Sequence, residues 1–390
     1  MLGSAAASLA GAARAQAADI VLGAPNALTG GYGEGGRQVV NGLRIAVDEI
    51  NRNGGIKSLG GRKLRLVSAD TSSDNPAQAA SVTRRLTTED HATVLVGAHV
   101  STMTLAAQVE AERAQVPIIT TSYADSIVEK GYKYTFKIPP QSSALSAAGL
   151  DDIVALYSDL KHEAVTRIAV FYGSDANSQA LGAAYLDLAK QRKLHVVASA
   201  ALPSGLTDPT SVLGPVLAGK PQIVILNLFT DGTILIARAL RNLGVTAPLV
   251  GSGSGISVKS IPEALGAQSD NMMGTLAWNG DLPIKGVAEF DALYKKALPA
   301  EPLVPQEAGE GYAIGVLIGQ ALEQAKSADP KTLRDTIAAI DTPSILPGER
   351  IRFDAHGQNR DIVPILVGWK AQQLHTLWPK RYQTAQPNLP

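Results

Sequence analysis

Short apolar runs alternate with amphipathic stretches along most of the chain, and each predicts its element. Ile20-Val21-Leu22-Gly23-Ala24 is too short for a helix and is ended by Pro25, so it reads as a buried strand. A glycine-rich turn over 30–36 follows. Between Gln38 and Asn51 the residues Val39, Leu43, Val47 and Ile50 recur at helical spacing, until Asn53-Gly54-Gly55 stops the pattern. Lys63-Leu64-Arg65-Leu66-Val67 alternates like a strand. Asn75-Pro76 opens the next helix, with proline where the first turn needs no N–H donor. Buried strands are predicted at 94–97 and 117–120, separated by a helix over 103–114.

A second series repeats the alternation. Strands are predicted at 167–172, 195–201, 222–226 and 248–251, with helices at 178–191, 208–218 and 232–242 between them. Apolar strands alternating with helices imply parallel sheets covered on both faces, joined by right-handed crossovers. Two series imply two α/β lobes. Beyond Met272 come a strand at 275–278, three helical segments, and strand-like pieces at 350–353, 362–368 and 373–377. Such a tail suits a chain that returns to finish sheets already begun.

With 390 residues, 45% apolar and 18% charged, the chain can fill two cores. Lysine plus arginine (35) equals aspartate plus glutamate (35), which leaves no electrostatic footprint for nucleic acid or anionic membrane. The absence of cysteine excludes thiol catalysis, disulfides and cysteine-ligated metal. Residues 1–18 are small and apolar, with Arg14 the one charge, and Ala15-Gln16-Ala17 fits the small-x-small cleavage rule. They are expected to be a signal-peptide remnant, cleaved near Ala17 to leave an exported protein with no direct membrane insertion. No later stretch is apolar enough over enough length to span a bilayer.

Two motifs are decoys. Gly31-Tyr32-Gly33-Glu34-Gly35-Gly36 satisfies the dinucleotide pattern, but its glycines lie far from the strand end and Asp70 stands well beyond the usual acidic position. Gly214 to Lys220 nearly matches a phosphate loop, but Pro221 replaces the hydroxyl residue and the flanking elements are reversed. The six histidines are scattered without metal-ligand spacing, and no acid, base and nucleophile assemble. No enzymatic activity, cofactor or metal is expected.

Several segments, taken in order, carry a resemblance. They are the opening IVLGAPNALTGGYGEGGRQVVNG from Ile20, Asp48-Glu49-Ile50-Asn51 with Gly54-Gly55-Ile56, Asp70 with Asp74 and Pro76, Val96-Gly97 with Ser101-Thr102-Met103-Thr104, Val116-Pro117-Ile118-Ile119-Thr120, and Phe353-Asp354 with Gly357. The set resembles the type I periplasmic binding proteins of the leucine/isoleucine/valine-binding family. That resemblance implies an α/β fold of two doubly wound parallel-sheet lobes joined by a three-crossing hinge, with ligand between them. The implied boundaries are 19–139 plus 274–346 for lobe one and 140–273 plus 347–390 for lobe two, with Pro139-Pro140 at the first crossing.

The resemblance also implies the site. The family's carboxylate-binding serine falls on Ser101, with Thr102 beside it and helix amides to share the anion, although Ser101 also suits a simple N-cap. Ser122-Tyr123-Ala124 is the next binding loop, where Ala124 replaces a family threonine. His99 and Tyr123 are candidates to meet an aromatic acid. Asn177 and Phe229 fall where the family has ligand-facing tyrosines, and the ammonium-binding acid falls near Gly253, in a Gly-Ser run without a carboxylate. A buried ammonium needs a partner, so a carboxylate ligand lacking that group is favoured over a branched-chain amino acid, with Asp231 the candidate substitute anchor. The implied partners are a small-molecule solute and the membrane permease of an ABC importer, with a periplasmic, monomeric receptor. A ligand-sensing regulator of the same fold and an enzyme on an α/β scaffold are the competing classes. The leader argues against the first, and the missing catalytic constellation against the second.

Overall fold

The computed structural model describes residues 18–389 apart from 175, 204, 229, 253–254, 302 and 388. The leader, Phe229 and Gly253, and the side chain of Asn177, therefore lie outside the described residues.

The first sheet contains β1 (Ile20–Asn26), β2 (Leu64–Asp70), β3 (Val94–Val96), β4 (Ile118–Thr120) and β5 (Thr135–Lys137), in the order β2-β1-β3-β4-β5 with every pairing parallel. The two-residue period decides its faces. Ile20 and Leu22 point into a core shared with α1 (Gly33–Arg52), while Val21 joins Leu86 and Ala107 of α2 (Pro76–Thr88) and α3 (Ser101–Ala114) on the other side. The helix α1 starts inside the stretch read as a turn. Gly36 permits this, because a Cβ there would lie 1.8 Å from the Ala27 carbonyl oxygen.

After α4 (Ser142–Lys161), the chain builds a second sheet from β6 (Arg167–Gly173), β7 (His195–Leu202), β8 (Ile223–Asn227), β9 (Leu249–Ser252) and β10 (Met272–Leu276), interleaved with α5 (Ala176–Gln191), α6 (Thr210–Gly219), α7 (Thr230–Asn242) and α8 (Ser260–Leu265). Phe171 and Val224 face one core and Val170 and Ile225 the other, so this sheet too is covered on both faces. The strand expected at 275–278 in fact begins at Met272 and ends at Leu276, inside the second sheet. The expected lobe boundary at 273/274 falls within it. Ala277 and Trp278 then leave for lobe one, where the Trp278 indole donates to the Ile345 carbonyl at 3.1 Å.

The chain continues through α9 (Val287–Ala297), α10 (Gln306–Ala325) and α11 (Pro330–Ala338), all contributing to the first core. The helices α1 and α10 pack so closely that a Cβ on Gly42 would stand 1.9 Å from the Ala308 carbonyl oxygen, and one on Gly311 2.2 Å from that of Val39. A short ribbon, β11 (Thr342–Pro343) with β12 (Arg350–Ile351), precedes the last crossing. The tail then adds β13 (Ile365–Lys370) and β14 (Gln373–Trp378) antiparallel to the edge of the second sheet, completing the order β14-β13-β10-β9-β8-β6-β7. The first and last crossings lie side by side. Lys137 N–H donates to the Gly357 carbonyl at 2.8 Å, Asn359 N–H to that of Lys137 at 2.8 Å, and the Gln358 amide to that of Pro139 at 2.8 Å. The α/β two-lobed architecture implied by the resemblance is thus present, with mostly parallel sheets.

Candidate functional site

The loop from β3 to α3 is set by its neighbours. Asn26, the last residue of β1, donates through Nδ2 to the Val96 carbonyl (2.8 Å) and accepts from His99 N–H (3.1 Å). Ser122, fully buried, brings its hydroxyl within 2.5 Å of the Ala98 carbonyl, 2.9 Å of the His99 carbonyl and 2.6 Å of the Thr104 hydroxyl. Its hydroxyl therefore fastens the loop.

Ser101 is not an N-cap. That position belongs to Val100, which is extended and makes no side-chain cap bond, so Ser101 is the first helical residue of α3. Its Oγ accepts the Ala124 N–H at 3.3 Å. The hydroxyl proton finds no acceptor among the described residues and lies next to first-turn amides that have no intrahelical partner. Ala124 enters through its backbone alone. Thr102 is exposed.

His99 lines a cavity of about 490 Å³ between the lobes. Glycine at 35 makes room for it, since a Cβ there would lie 2.4 Å from His99 Nε2. Burial lowers the pKa of His99 against the opposing charge of Glu307, so the ring is neutral at pH 7. The Tyr123 hydroxyl donates to Glu310 Oε1 at 3.0 Å, and burial, with Glu310 and Glu307 adding repulsion, raises the phenol well above its ordinary value. Glu310 is 1% exposed, and burial followed by the charge of Glu307 holds its carboxyl well above the usual range. Beneath them the wholly buried Lys137 donates to the Tyr123 carbonyl at 2.8 Å, its pKa brought down to about 8 by burial against the charges of Asp125 and Glu129.

The lobe-one wall comes from the starts of α1 and α10, held together by the glycine contacts described above. Glu34 and Gln38 stand on the first and Glu307 on the second, with Glu301 just before it. Buried Tyr294 donates to Gln38 Oε1 at 2.5 Å, and Gln38 in turn donates to Glu34 at 2.8 Å. The lobe-two wall includes Thr230 at the start of α7 and Lys259 and Glu263 at the start of α8. Glu34 is held below the usual carboxylate range by its bond from Gln38, by Arg37 and by Lys259 of the opposite lobe, against the effect of burial.

The expected residues divide accordingly. His99, Ser101, Ser122, Tyr123 and Ala124 are brought together by β3, β4 and α3. Asp231 is exposed in the first turn of α7 and lines a separate cavity of about 380 Å³ within lobe two, with Leu202, Leu228 and Ile236. Glu34, Lys259, Glu263, Glu301, Glu307 and Glu310 were missed. One signal for the last two was readable, because Gln306-Glu307-Ala308-Gly309-Glu310-Gly311 places acids and glycines in a helix otherwise apolar enough to be buried. Among the described residues, no three histidine, aspartate or glutamate side chains converge as a metal site, and no helix is long and apolar enough to cross a membrane.

The profile of the family described as periplasmic binding protein matches residues 19–366. A Leu/Ile/Val-binding protein homolog 7 from Brucella suis is 25% identical, covering 99% of this chain and 98% of its own length. The branched-chain amino acid transporter substrate-binding protein LivJ of Streptococcus pneumoniae, solved with isoleucine, superposes with a TM-score of 0.77 at 21% identity, covering 93% of this chain and 100% of its own. An ABC transporter solute-binding protein from R. palustris, solved with benzoate, gives 0.74 at 20% identity, covering 94% and 98%. The two-lobed α/β fold agrees with these structural neighbours, and the chain belongs to the periplasmic binding protein family, as a type I member of its branched-chain amino acid group, whose proteins are the solute-binding, non-catalytic components of ABC transporters.

Proposed function

We propose that this chain is an exported, monomeric receptor that captures a small carboxylate-bearing organic solute between its lobes and delivers it to the permease of an ABC importer. The observation that carries the reading is Ser101. Its hydroxyl accepts from Ala124 and keeps a proton to give, at the start of a 14-residue helix and two residues from His99 in the cleft wall. Unpaired amides and the positive end of the helix dipole favour an anion there. Isoleucine and benzoate, the ligands named for two structural neighbours, share only a carboxylate as their charged acceptor. Export with cleavage near Ala17 belongs to the same reading.

The test is calorimetry on Ser101→Ala against the best-binding acid from a thermal-shift screen. A lost hydrogen bond to a charged group costs about 1.5–3 kcal/mol, so affinity should fall by about tenfold or more. Unchanged affinity in the folded variant, or a carboxamide that binds as well as its acid, would place the anion elsewhere.

A further inference from the structure

The charged groups around the interlobe cavity do not balance. Glu34, Glu301 and Glu307 line it from lobe one and Glu263 from lobe two, whereas Lys259 is the one lysine or arginine among the described residues of its wall. His99 is held neutral by burial and supplies no charge. Glu34 is already met by Arg37 at 2.6 Å and by Lys259 across the cleft. Glu263, Glu301 and Glu307 make no ion pair among the described residues.

Glu307 is the most enclosed of them. It is 8% exposed, and the hydrogen bond it accepts is a long one, 3.4 Å from the amide of adjacent Gln306. One turn further along α10, Glu310 is more deeply buried and its Oε2 has no partner among the described residues. Glu301, Glu34 and Glu307 all act on the Tyr294 phenol, whose pKa is raised first by burial and then by those three charges. They therefore converge on one wall of the cavity. An enclosed carboxylate without a counter-ion is costly. Here the protein side of the wall offers hydroxyls and amides, and the open side is where a solute enters.

We propose that Glu307, flanked by Glu301 and backed by Glu310, is the seat of a cationic group of the solute, so that the ligand bears a protonated amine as well as its carboxylate. This rests on the cleft being the solute site, and it assigns a specificity-determining residue in lobe one, on α10. It also replaces the preference for acids lacking an ammonium, which rested on the missing carboxylate near Gly253. The required acid comes instead from a helix that lies over fifty residues further along the chain.

The experiment is a titration panel on three skeletons, each with both charges, with the acid alone and with the amine alone. The sets are L-leucine, 4-methylpentanoate and 3-methylbutylamine; 5-aminopentanoate, pentanoate and pentylamine; and 4-(aminomethyl)benzoate, 4-methylbenzoate and 4-methylbenzylamine. In the best-binding set, the member with both charges should bind about tenfold or more tightly than the acid alone. Glu307→Gln should close that gap. An acid binding as tightly as its doubly charged partner, or a panel in which no amine-bearing member binds, overturns the cation seat and leaves the carboxylate site standing. An amine alone binding as tightly as the doubly charged member overturns the carboxylate site and leaves the seat. The wild-type panel decides even if the variant does not fold.

Discussion

Glu310 shows how one buried side chain makes stability depend on pH. Burial and the neighbouring charge of Glu307 raise its folded pKa well above the unfolded value. A raised acid contributes its stability below the unfolded pKa, and that contribution is lost as pH rises through the folded pKa. Near pH 8 the protein therefore bears the cost of an enclosed charge, or of the proton held against the solution. Glu310→Gln keeps an acceptor for the Tyr123 hydroxyl and removes that charge. Its melting temperature should exceed that of the wild type at pH 8, and the difference should shrink toward pH 4, as scanning calorimetry across the range would show. A variant less stable at pH 8 than at pH 4, relative to wild type, would mean the carboxyl is not held protonated. At this same scale the sequence was least legible. Ser101 was readable as a residue at a helix start, although the cap position itself falls on Val100. The locking role of Ser122 was not, because it depends on carbonyls more than twenty residues away.

Among elements, the pair α1 and α10 determines whether the acids of the cleft meet. The stripe of Val39, Leu43 and Val47 made α1 readable, whereas Gly311, Gly315 and Gly319, which bring α10 against it at a spacing of four, were not read as a contact face. A methyl group on Gly42 would stand 1.9 Å from the Ala308 carbonyl oxygen, one residue beyond Glu307. Alanine is a better helix former than glycine by about 1 kcal/mol. Overpacking typically costs about 1–3 kcal/mol and more where the obstacle is backbone, so the clash should win. Gly42→Ala should therefore lower the denaturant midpoint, and affinity for an amine-bearing ligand should fall with it as the start of α10 is pushed out. A variant as stable as wild type would show that the helices separate freely. The sequence misses at this scale have the same origin. The three-residue strand β5 is too short to show a period, and β10 was displaced because Ala277 and Trp278 are as apolar as the strand they follow, yet Trp278 belongs to the other lobe's core.

In the whole molecule, the lobes are held by crossings that pair with one another through Lys137, Pro139, Gly357 and Asn359. Backbone pairing of this kind can bend without breaking the flanking sheets, which is how hinged closure proceeds around a ligand. Saturating the protein with a ligand from the panel should reduce its radius of gyration in small-angle scattering. An identical curve at saturation would argue for a cleft that admits its solute without rigid-body movement. The two-lobed plan was the most legible level of all, because apolar strands alternating with helices leave few topologies.

The packing of α1 on α10 also sets a timetable. The apolar stripe of the first helix, over 33–52, is covered by a helix at 306–325. A chain emerging from the ribosome can cover part of that stripe with β1 and β2, but the part that faces α10 stays uncovered for most of its synthesis. Contacts so distant in sequence slow folding. The second lobe gathers β6 to β9 in succession, but it too waits, for β13 and β14 at 365–378. Both lobes are therefore finished only when most of the chain has been made, and that long unfolded interval would suit the export proposed above.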